Sequence, residues 1–132
     1  MKISFEEFEE IVMKELLSGD DHNLEILRAQ FSSAEVRSRE FTGVGFYTYF
    51  RPDVNMPKVE GKQAFQFGDL KVDLQGVKAG VGFVLFIKNG YLDFLEGYTY
   101  DDPWPGDIDI LSIGFETNGI RDLEKLSKIW SL

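Results

Sequence analysis

The sequence predicts an α+β domain, an antiparallel sheet of five or six strands with an N-terminal helical hairpin and a C-terminal helix packed on one face. Three observations carry this. Apolar residues recur at helical spacing between Phe5 and Phe31, the period changes to two from Ala34 onward, and Asn89-Gly90 stands between two apolar runs as a two-residue hairpin turn. With 132 residues, 43% of them hydrophobic and twelve of them Phe, the chain can bury one sizeable core as a single domain, 1–132.

Ser4 and Glu7 stand at capping-box spacing, so the first helix begins there. Phe5, Phe8, Val12 and Leu16 form its inner stripe, and Glu6, Glu9 and Glu10 are expected to face solvent. Gly19 ends it, and Asp20 or Asp21 caps a second helix with Leu24, Leu27 and Phe31 inward. Val36 to Phe41 and Phe46 to Phe50 read as paired strands joined at Thr42-Gly43-Val44-Gly45. Tyr47 and Tyr49 then share one face, either as partial core or as a ligand platform. The stretch from Arg51 to Gln63 is aperiodic and holds two prolines and a glycine, the mark of a functional or mobile loop. Alternation at Phe65 and Phe67 slips at Gly68-Asp69 and resumes at Leu70, Val72 and Leu74, which implies a bulge or tight turn.

The central hairpin organises the rest. Val81 to Ile87 is apolar except at Gly82, long enough for a strand covered on both faces and too short for a membrane span. A regular two-residue turn sets Ile87 against Leu92, Leu85 against Phe94, Val84 against Leu95 and Phe83 against Glu96. On that register Phe83, Leu85, Ile87, Leu92 and Phe94 meet the helices. Val84, Phe86 and Leu95, beside Lys88 and Asp93, form a second face too apolar to stand free, covered by the long loop or by a second subunit. Asp101 to Asp107 forbids a strand; Ile108 to Phe115 is the last strand, with a phase change near Ser112. Asn118-Gly119 leads into a short helix with Leu123, Leu126 and Trp130 inward and Lys125 and Lys128 near its C-terminal end.

Composition excludes several function classes. Without cysteine there is no disulfide framework, thiolate zinc site or cysteine nucleophile. A net charge of −9 repels phosphate backbones, so nucleic acid is not an expected partner; the charge serves solubility in the first place, and a basic protein is the sharper alternative, because an acidic surface attracts and steers one. The first ten residues carry glutamates where a signal peptide needs basic and then apolar residues, so a cytoplasmic location, without membrane association, is the expectation. Gly-rich phosphate loops and Gly-x-Ser-x-Gly elbows are missing, and His22 is a lone histidine in a capping turn.

The candidate binding residues are Glu96, Tyr98, Tyr100, Asp101, Asp102, Trp104, Tyr47 and Tyr49; no catalytic residue, metal ligand or cofactor is assigned. Glu96 leads because the register turns it toward apolar company, where a carboxylate must find a partner or a raised pKa. It lines a pocket with Tyr98 or Tyr100, or reaches solvent at the sheet's end, or pairs with Arg37 or Arg39. Asp101, Asp102, Asp107 and Asp109 gather oxygen ligands around Trp104, but their spacing fits no EF-hand and suits turns better.

Gly82-Phe83-Val84-Leu85-Phe86, Leu95-Glu96-Gly97-Tyr98-Thr99-Tyr100 and Trp104-Pro105, with Arg39-Glu40-Phe41-Thr42-Gly43-Val44-Gly45-Phe46 upstream, resemble a family of small bacterial proteins. The resemblance spans about Arg37 to Ile113 and implies one domain, with no activity, cofactor or catalytic residue attached. In size and charge the chain is also similar to toxin-neutralising immunity proteins. The expected function is therefore a non-catalytic binding protein, meeting a basic protein or a second copy of itself. The alternatives are a small hydrolase or lyase, or a small-molecule binder, with a pocket around Glu96, Tyr98 and Tyr100.

Overall fold

The computed structural model describes residues 1–117 and 119–132. Its elements are β1 (Lys2–Ile3), α1 (Phe5–Leu16), α2 (His22–Ser33), β2 (Glu35–Phe41), β3 (Gly45–Arg51), β4 (Phe65–Phe67), β5 (Leu70–Leu74), β6 (Val81–Lys88), β7 (Tyr91–Thr99), β8 (Ile108–Phe115) and α3 (Leu123–Ser127). The strands form one antiparallel sheet in the order β1-β8-β5-β6-β7-β3-β2, with β4 also on β6. Eight strands replace the five or six expected. The difference has two sources, the two-residue β1 and the split of one strand line into β4 and β5 at Gly68-Asp69.

That split is a close approach. A methyl group at Gly68 would lie 1.8 Å from the Phe83 carbonyl oxygen, so only glycine lets the line kink against β6. Beyond it the register on β6 moves by one, from Phe67↔Leu85 to Lys71↔Gly82.

The helices cover one face. The expected capping box is present: Ser4 Oγ accepts from the Glu7 N–H at 3.1 Å and Glu7 Oε1 from the Ser4 N–H at 3.2 Å. Asp21 caps α2. Phe8, Val12, Met13, Leu16, Leu24 and Leu27 bury against Phe46, Phe83, Leu85 and Leu95 of the sheet. Trp130, just past α3, closes the same layer with its ring 5.3 Å from Phe65 and 5.6 Å from Phe67.

Two charge pairs, each with one buried member, fasten the layers. Glu9, expected in solvent, is 6% exposed; it accepts twice from Arg39, at 2.8 and 3.0 Å, and from the Thr48 hydroxyl at 2.5 Å. Arg121 donates twice to Asp69, at 2.7 and 2.8 Å, and once to the Ser18 carbonyl at 2.7 Å, tying the C-terminal segment to the β4–β5 kink and the end of α1. Both pairs satisfy groups whose burial alone would be costly.

The long loop is pinned. The Asn23 side chain donates to the Glu60 carbonyl at 2.7 Å and accepts from its N–H at 2.8 Å, Val59 is buried, and the Tyr91 hydroxyl donates to the carbonyls of Val54 and Met56. These ties hold the loop along α2 and the hairpin turn.

Candidate functional site

The hairpin turn forms as the dipeptide dictates, with Asn89 and Gly90 at φ of 54° and 81°. Ile87 pairs with Leu92, as expected. One residue later the regular register fails. Asp93 is an extra residue on β7, and from there the pairs are Phe86↔Phe94, Leu85↔Leu95, Val84↔Glu96 and Phe83↔Gly97. A single bulge residue advances the strand by one position and exchanges its faces. Leu95 is therefore core, Phe94 leaves it, and Glu96 stands beside Val84 on the side away from the helices.

Gln30 holds the start of this irregularity. Its side chain is fully buried; Nε2 donates to the carbonyls of Pro57 at 2.8 Å and Gly90 at 3.0 Å, and Oε1 accepts from the Leu92 N–H at 3.1 Å. An α2 residue thus ties the turn, the loop and the strand next to the bulge.

The helix-free face is aromatic at its centre. Tyr47 and Tyr49 on β3 lie against Phe94 on β7, with ring centroids 6.0 and 5.5 Å away, and Phe94 stacks on Phe86 of β6 at 4.2 Å and 16°. The Tyr47 and Tyr49 rings are stacked, and the Arg37 guanidinium lies 5.4 Å from the Tyr49 centroid. The Tyr47 hydroxyl donates to Glu96 Oε2 at 3.1 Å. That bond to the carboxylate raises the Tyr47 pKa above the usual phenol value. Tyr98 and Tyr100 meet edge to face at 5.5 Å and lie over Gly82. Burial, helped by the Tyr100 hydroxyl, pushes the Tyr98 phenol up to about 12. Phenols held this way stay neutral donors at ordinary pH, suited to stacking and hydrogen bonding rather than to attack as phenolates.

Of the residues singled out in the sequence, Tyr47, Tyr49, Glu96, Tyr98 and Tyr100 share this face. The others do not join them. The Trp104 ring packs on the helical side, 5.4 Å from Phe46 and 5.9 Å from Phe8, and the backbone N–H of Trp104 donates to the Gly43 carbonyl. Asp101, at φ 68°, makes a turn, and Asp102 accepts from the Lys78 N–H at 2.8 Å. Asp107 pairs with Lys2 and Asp109 with the N-terminal amine, so the four aspartates serve separate contacts, and no three potential ligands among the described residues gather around one point. Arg39 goes to Glu9 and leaves Glu96 to Tyr47.

Gln30 escaped the sequence reading; Phe94 was expected among the helix-facing residues, and Arg37, weighed as a partner of Glu96, lies over Tyr49 instead. Leu92 and Leu95 are three apart in a strand whose period is two, and the burial of both is what places the extra residue between them.

A cavity of about 810 Å³ lies on the opposite side, between α1, α2 and β2. Leu17, Phe31 and Val36 supply its apolar wall, Glu6 and Glu10 stand at its rim, and the Arg39-bound Glu9 borders it.

Among the described residues no helix is long and apolar enough to cross a membrane. No protein-family model, curated protein or solved structure matches the chain.

Proposed function

We propose that this chain is a non-catalytic interaction protein, working in the cytoplasm, whose docking surface is the helix-free face of the sheet. The observation that carries the reading is the continuous ring contact from Tyr49 and Tyr47 through Phe94 to Phe86, on the side opposite the helical layer. Tyrosine is suited to such a surface because its body gains from burial while its hydroxyl tolerates water when the face is free. The same neutral phenols leave Glu96 engaged as an acceptor, which favours recognition over acid–base chemistry.

The excess negative charge lies elsewhere. Glu6, Glu7, Glu10 and Glu15 on α1, with Asp20, Asp21 and Glu25 beyond it, give the helical layer its acidity. A basic protein partner, as for an immunity-like protein, is the second reading: it would be steered to that side instead, and differential capture separates the two.

The test is differential capture with three tagged chains: the unaltered protein, a Tyr49→Glu/Phe94→Glu double variant, and a Glu7→Gln control on the helical layer. A partner retained by the first and third and lost by the double variant supports the reading. Partners retained equally by all three contradict it. Circular dichroism on the double variant confirms that the fold survives.

A further inference from the structure

We infer that the occupant of the open face is a second copy of this chain, packed sheet to sheet about a two-fold axis. The inference rests on the proposed reading of that face as the docking surface and adds the identity of the partner.

Charge is the first argument. A chain at −9 repels its copy unless the contact is locally balanced. The register gives that balance: Glu35 bridges Arg51 at 3.6 Å, and the outward carboxylates Glu40, Asp73 and Glu96 are offset by Arg37, Lys71 and Lys88. Asp93 at the bulge and Glu116 near Tyr98 add two acids at the margin, so the face holds at most −2 of the total. A basic partner would find little to attract it here; a copy finds little to repel it.

Shape is the second. The outward side chains form a ridge on β3, β7 and β6, from Tyr49 to Phe86. On β8 the small residues Ser112 and Gly114 face outward, next to the exposed bulge residue Leu111, and a methyl group at Gly114 would meet nothing within 4 Å. Large rings on one side of a sheet and small side chains on the other suit a two-fold rotation, in which the rings of each copy lie over Ser112 and Gly114 of its partner. Side chains from two facing sheets interdigitate in this way across about 10 Å.

Area is the third. Five strand lines, β8 to β3, spaced about 4.8 Å apart and about six residues long at 3.3 Å each give on the order of 500 Å² per copy. The pair then buries on the order of 1,000 Å², the lower bound for a specific interface.

The experiment is sedimentation velocity on the full chain from about 1 to 100 µM, for the unaltered protein and for Gly114→Arg, Phe94→Glu and Glu7→Gln. The expected result is a dimer whose Kd rises about tenfold or more in Gly114→Arg and Phe94→Glu and is unchanged in Glu7→Gln. Gly114→Arg keeps the test decisive if Phe94→Glu loses structure, because its side chain enters space the chain itself does not occupy. A monomer throughout, or a dimer indifferent to Gly114→Arg, overturns the inference. A monomer that still shows differential capture leaves the docking face in place with a foreign partner, so the two readings fail separately.

Discussion

Replacing Gln30 with Met tests whether one buried amide keeps the hairpin, the loop and α2 in their observed relation. The substitution preserves volume and apolar contact, so the cost is confined to hydrogen bonds. Three groups lose Gln30: the Leu92 N–H, the Pro57 carbonyl and the Gly90 carbonyl. The Gly90 carbonyl keeps the Val59 N–H at 3.2 Å, leaving two groups without their partner. An orphaned buried group costs about 1–3 kcal/mol, so the expected loss is about 2–4 kcal/mol after partial relaxation. For a chain of this length 1 kcal/mol corresponds to roughly 4 °C, giving a fall in Tm of roughly 8–16 °C. Urea denaturation with an unchanged slope reads the free energy, and amide exchange at Leu92 reads the local bond. A loss below about 1 kcal/mol, with Leu92 exchange unaltered, would refute the reasoning.

Three further outcomes are expected. Gly68→Ala places a methyl 1.8 Å from the Phe83 carbonyl oxygen, so β4 or β6 must move; a loss of about 3 kcal/mol or more by urea denaturation is expected, and near-neutral behaviour contradicts the kink. Glu9→Leu leaves the Arg39 guanidinium with only Glu6, at 3.9 Å, and the Thr48 hydroxyl without its acceptor; it is expected to cost about 2 kcal/mol, with much of the loss recovered when Arg39→Met is added. Tyr98 binds its proton more tightly folded than unfolded, so its contribution is complete below pH 10.0 and is lost as pH rises to about 12. The urea midpoint should fall through that window, and Tyr98→Phe should flatten the fall; an equal fall in the variant contradicts the assignment.

Much of the fold is legible in local chemistry. Ser4 with Glu7, Asp21 and Asn89-Gly90 act within a few residues, so each is visible in sequence and each forms as expected. The slip at Gly68 is visible too, because a lone glycine in an alternating run has few other uses. The failures are tertiary. Glu9 reads as one of a solvated glutamate row; it is buried because Arg39 and Thr48, thirty and thirty-nine residues away, arrive to pair with it. Gln30 is silent for the same reason. The bulge at Asp93 mattered most, since one residue moved Glu96 from the imagined core pocket to the open face. The tyrosines kept their shared face because β3 runs without a bulge from Gly45 to Tyr49 against β7. Asn118, read as part of a turn before the last helix, lies outside the described residues.

Cross-strand backbone NOEs along the central hairpin test the account most directly, since the open aromatic face follows from that register alone. Contacts joining Val84 to Glu96 and Phe86 to Phe94 are predicted. Contacts joining Phe83 to Glu96 and Leu85 to Phe94 would return Glu96 to the helical side and contradict the account.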